Sequence, residues 1–103
     1  MAGILILTNL LPVILTTSGN ISFSVPSGKV IRFVVVEPTV GFLFSIGTTN
    51  GGSEISAGVN VAAGDSVLFS IDKTYNGLIA EYGSPVIWFN GALNTVTYKI
   101  YFR

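Results

Sequence analysis

Apolar and polar residues alternate with a period of two along most of this chain. The pattern is densest over residues 29–52, KVIRFVVVEPTVGFLFSIGTTNGG. Ile21, Phe23 and Val25 alternate with Ser22 and Ser24, which predicts a strand with one buried and one polar face. In the next run Val30, Val34 and Val36 share a face with Arg32, while Ile31, Phe33 and Val35 take the other. Both faces are then largely apolar, as in a strand covered on both sides. Phe42, Phe44 and Ile46 point one way, with Leu43 and Ser45 opposite. A weaker strand carries Ile55, Ala57, Val59 and Val61. Another has Val67, Phe69 and Ile71 against Leu68 and Ser70. Val86 to Phe89 is a short run holding Trp88. The last strand puts Val96, Tyr98, Ile100 and Phe102 opposite Thr95, Thr97, Lys99 and Tyr101.

Turn chemistry separates these runs. Ser18-Gly19-Asn20, Pro26-Ser27-Gly28, Ala63-Gly64-Asp65, Gly83-Ser84-Pro85 and the Asn90–Asn94 hairpin each end a strand, and residues 47–53 supply Asn50, Gly51 or Gly52 for a positive φ. Residues 72–77 read as the longest polar connection, and Leu78 to Tyr82 as a short strand or one irregular turn. Eight or nine strands with turns at intervals of about eight to twelve residues, and no helical periodicity, predict a single-domain antiparallel β-sandwich or barrel.

The first 17 residues form a separate stretch, an apolar arm or edge strand ahead of a sandwich over residues 18–103. MAGILILTNLLPVILTT contains no charge. It lacks the basic start and small-residue cleavage site of a secretory signal. Asn9 and Pro12 interrupt it before the roughly 20 apolar residues that a membrane-spanning helix needs. Ile4, Ile6, Leu10, Leu11, Val13 and Ile14 are its candidate assembly residues. An uncharged run of this kind is either an edge strand of its own sheet or an arm that pairs with a neighbouring subunit or a coated surface.

Charge changes the picture most. Five cations and five anions, 10% of the chain against 50% hydrophobic, give a net charge of zero. A usual soluble domain carries about 25% charged residues, so wide neutral patches are expected and association is favoured. Such a balance leaves no electrostatic footprint for nucleic acid.

The absence of cysteine and histidine excludes disulfides, thiolate nucleophiles, Cys/His zinc sites and imidazole acid–base work. No cluster of Asp and Asn has calcium-loop spacing, and no cofactor is implied. The glycines of residues 47–53 are followed by no phosphate-binding lysine. The five carboxylates are scattered one to a turn or strand end, so no acid–base pair is predicted and the chain reads as non-enzymatic. A hydrolase would need two of them to converge in one cleft. Tyr75 with Asn76, and Trp88 with Asn90, are the candidate contacts for a glycan; core or interface packing is the competing role of Trp88. Arg32, inside an apolar strand, is either an inward-tolerated edge charge or half of a buried pair across an interface, with Glu37 or Glu54 as the partner.

Three segments follow in order: Val25-Pro26-Ser27-Gly28-Lys29-Val30-Ile31, then residues 46–55 (IGTTNGGSEI), then Val61-Ala62-Ala63-Gly64. With the closing strand Val96 to Phe102 they resemble small jelly-roll proteins of tailed-bacteriophage virions. The likeness spans roughly residues 20–103, rests on turn residues, and carries over no catalytic or binding residue. It implies a jelly-roll sandwich of about eight strands and a structural virion protein. The implied role is a capsid decoration (cement) protein on the capsid surface, or a head- or tail-fibre module. It further implies a homotrimer whose partners are the major capsid protein or another virion protein. A receptor- or glycan-binding fibre tip is the alternative.

Overall fold

The computed structural model describes residues 11–103. The candidate assembly residues Ile4, Ile6 and Leu10 therefore lie outside the described residues. Eight strands form in order: β1 (Val13–Thr17), β2 (Ile21–Ser24), β3 (Val30–Pro38), β4 (Phe42–Gly47), β5 (Ser56–Val61), β6 (Val67–Thr74), β7 (Val86–Asn90) and β8 (Val96–Phe102). One four-stranded sheet has the order β1-β8-β3-β6 and the other β2-β7-β4-β5, every pairing antiparallel. Strand one pairs with eight, two with seven, three with six and four with five. The chain is thus a long hairpin rolled up so that its arms alternate between two sheets, the jelly-roll winding.

The core lies between the sheets. Ile31, Val34 and Val36 of β3 and Val96, Tyr98 and Ile100 of β8 meet Phe44, Ile46, Ile87 and Phe89 from the other sheet. Tyr98 bridges the layers: its ring centroid lies 4.8 Å from Phe89 and 5.7 Å from Phe44. Offset and tilted rings at such spacings add to the area they bury.

On β3 period two fails for a physical reason. Ile31 pairs with Phe102 of β8 and Phe33 with Tyr101, so Arg32 is an extra residue on β3. The bulge shifts the phase, and Ile31 points inward together with Val34 and Val36. Simple alternation placed Ile31 on the opposite face. Arg32 is pushed out to solvent, and the ion pairs are Lys99–Glu37 and Lys73–Glu81 among the described residues, neither involving it. Within one chain Arg32 is thus an exposed charge, and the pairing expected with Glu37 or Glu54 is one across an interface between chains.

A second correction is helix α1 (Tyr75–Tyr82), where a polar connection and a short strand or turn were expected. Thr74 caps it, in extended conformation, its Oγ1 accepting from the Gly77 amide at 2.8 Å. Gly83, at φ 79°, closes it by donating to the Ile79 carbonyl at 2.8 Å. Tyr75, Leu78 and Tyr82, three and four residues apart, pack on the core, with Leu78 fully buried.

Candidate functional site

Cross-strand register lays out the exterior of the β1-β8-β3-β6 sheet in rows. In one, Tyr101 faces Phe33, their rings stacked with centroids 4.6 Å apart. The next row runs Ile14, Lys99, Val35, Leu68 across all four strands. Beside it Thr16, Thr97 and Glu37 form a polar row, and the Ser66 hydroxyl donates to Glu37 at 2.7 Å. This exterior is open to solvent. Ile14 and Leu68 are 58% and 54% exposed, so β3 is covered on one side and only shielded by its neighbours on the other.

The described part of the predicted assembly segment sits at the margin of this sheet, its outer edge free among the described residues. Leu11 is 71% exposed, and Val13 and Ile14 also face solvent. Leu15 turns in towards the core and pairs with Tyr98. Residues 13–17 thus form an edge strand of the chain's own sheet while leaving apolar side chains in water.

The two ends of the sandwich differ. The loops at residues 18–20, 39–41, 62–66 and 91–95 share one end. The Thr39 amide and hydroxyl donate to the Thr95 carbonyl, the Gly64 amide to the Pro38 carbonyl, and the Gly91 amide to Asn20 Oδ1. These loops expose Val40 and Leu93 and hold a single charged residue, Asp65. At the other end lie Lys29, Arg32, Asp72, Lys73, Glu81 and Arg103. They are drawn together because Lys73 stands opposite Ile31, Arg103 bonds Val30 through both backbone groups, and the Tyr75 amide donates to the Lys29 carbonyl. A charge-poor molecule is therefore polarised into an apolar end and a charged one.

A shallow groove of about 400 Å³ runs beside α1 at the charged end, lined by Asp72, Lys73, Thr74, Gly77, Ala80 and Glu81. A smaller one of about 230 Å³, lined by Gly28, Lys29, Val30, Thr74, Tyr75 and Asn76, adjoins it at Thr74. Lys73 Nζ lies 3.0 Å from Glu81 and 5.8 Å from the centre of the Tyr82 ring. The ammonium's hydrogen bond holds Glu81 below the usual carboxylate range and raises Lys73. Glu37 is lowered first by Ser66 and then by Lys99, and Glu54 by its own amide and that of Thr48. All three of these glutamates shift downward, opposite to the direction a general acid requires.

The glycan candidates do not come together. Tyr75 opens α1 and is half-buried against the core. Trp88 lies on the exterior of the other sheet, opposite Ser22 and Gly47, half-buried and lining neither groove. Asn90 is buried, and its Nδ2 donates to the Thr49 and Gly52 carbonyls at 3.2 and 2.9 Å. It fastens the β4–β5 connection onto the sheet instead of facing a ligand. That connection carries Gly51 at φ 85°, as its turn residues predict. Asn20 extends the same polar cluster by donating to Asn50 Oδ1 at 2.7 Å.

Sequence reading missed the exposed Leu43 and Leu68. Their signal is plain in retrospect: each is a leucine at the polar phase of an alternating strand. Among the described residues no three acidic, His or Cys side chains group as a metal site, and no helix is long and apolar enough to cross a membrane. Comparison with protein-family models, with curated proteins and with solved structures finds no match.

Proposed function

We propose that this chain is a non-enzymatic structural protein of a tailed-phage virion, a capsid decoration protein that works as a homo-oligomer, with the trimer as its favoured form. Its partners are copies of itself and the major capsid protein or another virion protein, and its contribution is lateral burial between coat subunits. The observation that carries the reading is the uncharged margin of the first sheet, with Leu11, Val13 and Ile14 left in water. Exposed apolar surface on a neutral molecule is most stable when another surface covers it.

The test is the double substitution Leu11→Asp, Ile14→Asp. Both side chains project from the sandwich, so folding stability should change by less than about 0.5 kcal/mol. Association, or attachment to capsids, should weaken at least tenfold by sedimentation velocity. Unchanged association would reduce this segment to an edge strand with no assembly role.

A glycan-binding fibre tip is the second reading, favoured by the groove that Asp72, Lys73 and Glu81 line beside Tyr75. It requires oligosaccharide binding in calorimetry that is lost on Asp72→Ala.

A further inference from the structure

The sandwich has four free strand edges among the described residues: β1 and β6 in one sheet, β2 and β5 in the other. A free edge presents unpaired backbone N–H and C=O groups and is a template for another chain unless something blocks it. Three of the four are blocked or bare. On β6 the pair Ile71 and Asp72 stands against Arg32 alone, a bulge with Asp72 at φ 51°, and two charged residues, Asp72 and Lys73, lie on the strand. On β5 the pair Ala57 and Gly58 stands against Ser45, again a bulge. β2 is regular but only four residues long, and its apolar side chains, Ile21 and Phe23, turn to the core.

β1 is different. Its five residues pair with β8 in unbroken register and carry no charge or proline, Val13 and Ile14 among them are exposed, and so is Leu11 just before the strand.

We infer that the free edge of β1 pairs with the same edge of a second copy of this chain, antiparallel about a two-fold axis, so that two four-stranded sheets become one of eight strands. The inference rests on the assembly reading above and adds to it the occupant of that margin and the way the two pair.

A second copy suits this edge because a two-fold contact brings a surface against its own image, and any charge on it would meet a like charge. β1 has none to repel. Side-chain direction then fixes the register. Core-facing residues must meet core-facing residues, and full overlap of the five places Leu15 opposite Leu15 of the second copy. Val13 then faces Thr17 of the second copy, and Ile14 faces its Thr16. Leu15 meets its image at the core side of the seam, and the exposed Ile14 is covered from the side. A two-fold contact makes dimers, or joins adjacent trimers, and leaves any trimer contact to another surface.

The absence of cysteine allows a register-specific test without background. Ile14→Cys and Thr16→Cys both place a thiol on the solvent side of β1. Directly opposed Cβ atoms lie about 4.5–5.5 Å apart, near disulfide reach, whereas diagonal neighbours are about 7–8 Å apart. Mixed and mildly oxidised, the two variants should give a disulfide-linked heterodimer at least tenfold in excess over either homodimer on a non-reducing gel. The product should persist when residues 1–10 are deleted from both chains.

No cross-link in the mixture, homodimers as abundant as the heterodimer, or loss of the product on deletion would each overturn the pairing. Light scattering on the same samples separates the two levels of argument. Chains that associate without cross-linking refute β1 pairing alone, and chains that stay monomeric refute the assembly reading as well.

Discussion

At the scale of the residue, the informative positions are polar groups where the pattern calls for apolar ones. The Tyr98 ring packs against Phe44 and Phe89, its buried hydroxyl has no hydrogen-bond partner among the described residues, and burial pushes its pKa upward. Tyr98→Phe should therefore leave stability unchanged or raise it by up to about 1 kcal/mol in urea titrations. A loss larger than about 1 kcal/mol would show that the hydroxyl is hydrogen-bonded. The carboxylates make a pH argument. Glu37, Glu54 and Glu81 all have folded pKa values below the ordinary value of 4.5, so each stabilises the fold above that value and loses its contribution as pH falls through the lower one. With no histidine to titrate, the thermal midpoint should stay level from about pH 6 to 8, drop below about pH 4.5, and drop less steeply in Glu37→Gln. A midpoint that held constant down to pH 3 would contradict those hydrogen bonds.

At the scale of the element, the strands were legible because alternation and turn chemistry agree. Val96 to Phe102 reads in the sequence as it lies in the sheet, and the glycine turns fall where positive φ is needed, at Gly28, Gly51, Gly64 and Gly91. Two features were not legible, and each depends on information that a period-two count discards. The Arg32 bulge is an insertion relative to β8, visible only once the partner strand is known. Helix α1 is short, and Gly77 inside it looks like a breaker. Its signature was its ends, Thr74 as cap and Gly83 as stop, with Tyr75, Leu78 and Tyr82 on one face between them. Thr74→Ala removes that cap and should cost about 1 kcal/mol, with amide exchange accelerated over residues 75–79. Exchange unchanged there would mean that Leu78 burial alone holds the helix. The candidate site was legible as a composition, an uncharged apolar start to the chain. Which residues stay in water depended on strand pairing, which turns Leu15 in and leaves Ile14 and Leu68 out.

At the scale of the whole molecule, the account turns on how few charges a jelly-roll exterior of this kind carries and where they sit. Ion pairs tie up Lys99 with Glu37 and Lys73 with Glu81, and the loops of one end keep only Asp65. Association driven by such a surface is hydrophobic and short-ranged, so salt that screens surface charge should leave it intact or strengthen it. The most direct measurement is the mass of the purified chain by light scattering across a wide range of concentration. A defined multiple of 10.9 kDa is expected, retained at high salt and lowered by Leu11→Asp with Ile14→Asp. A mass of 10.9 kDa that holds to the highest soluble concentration would contradict it.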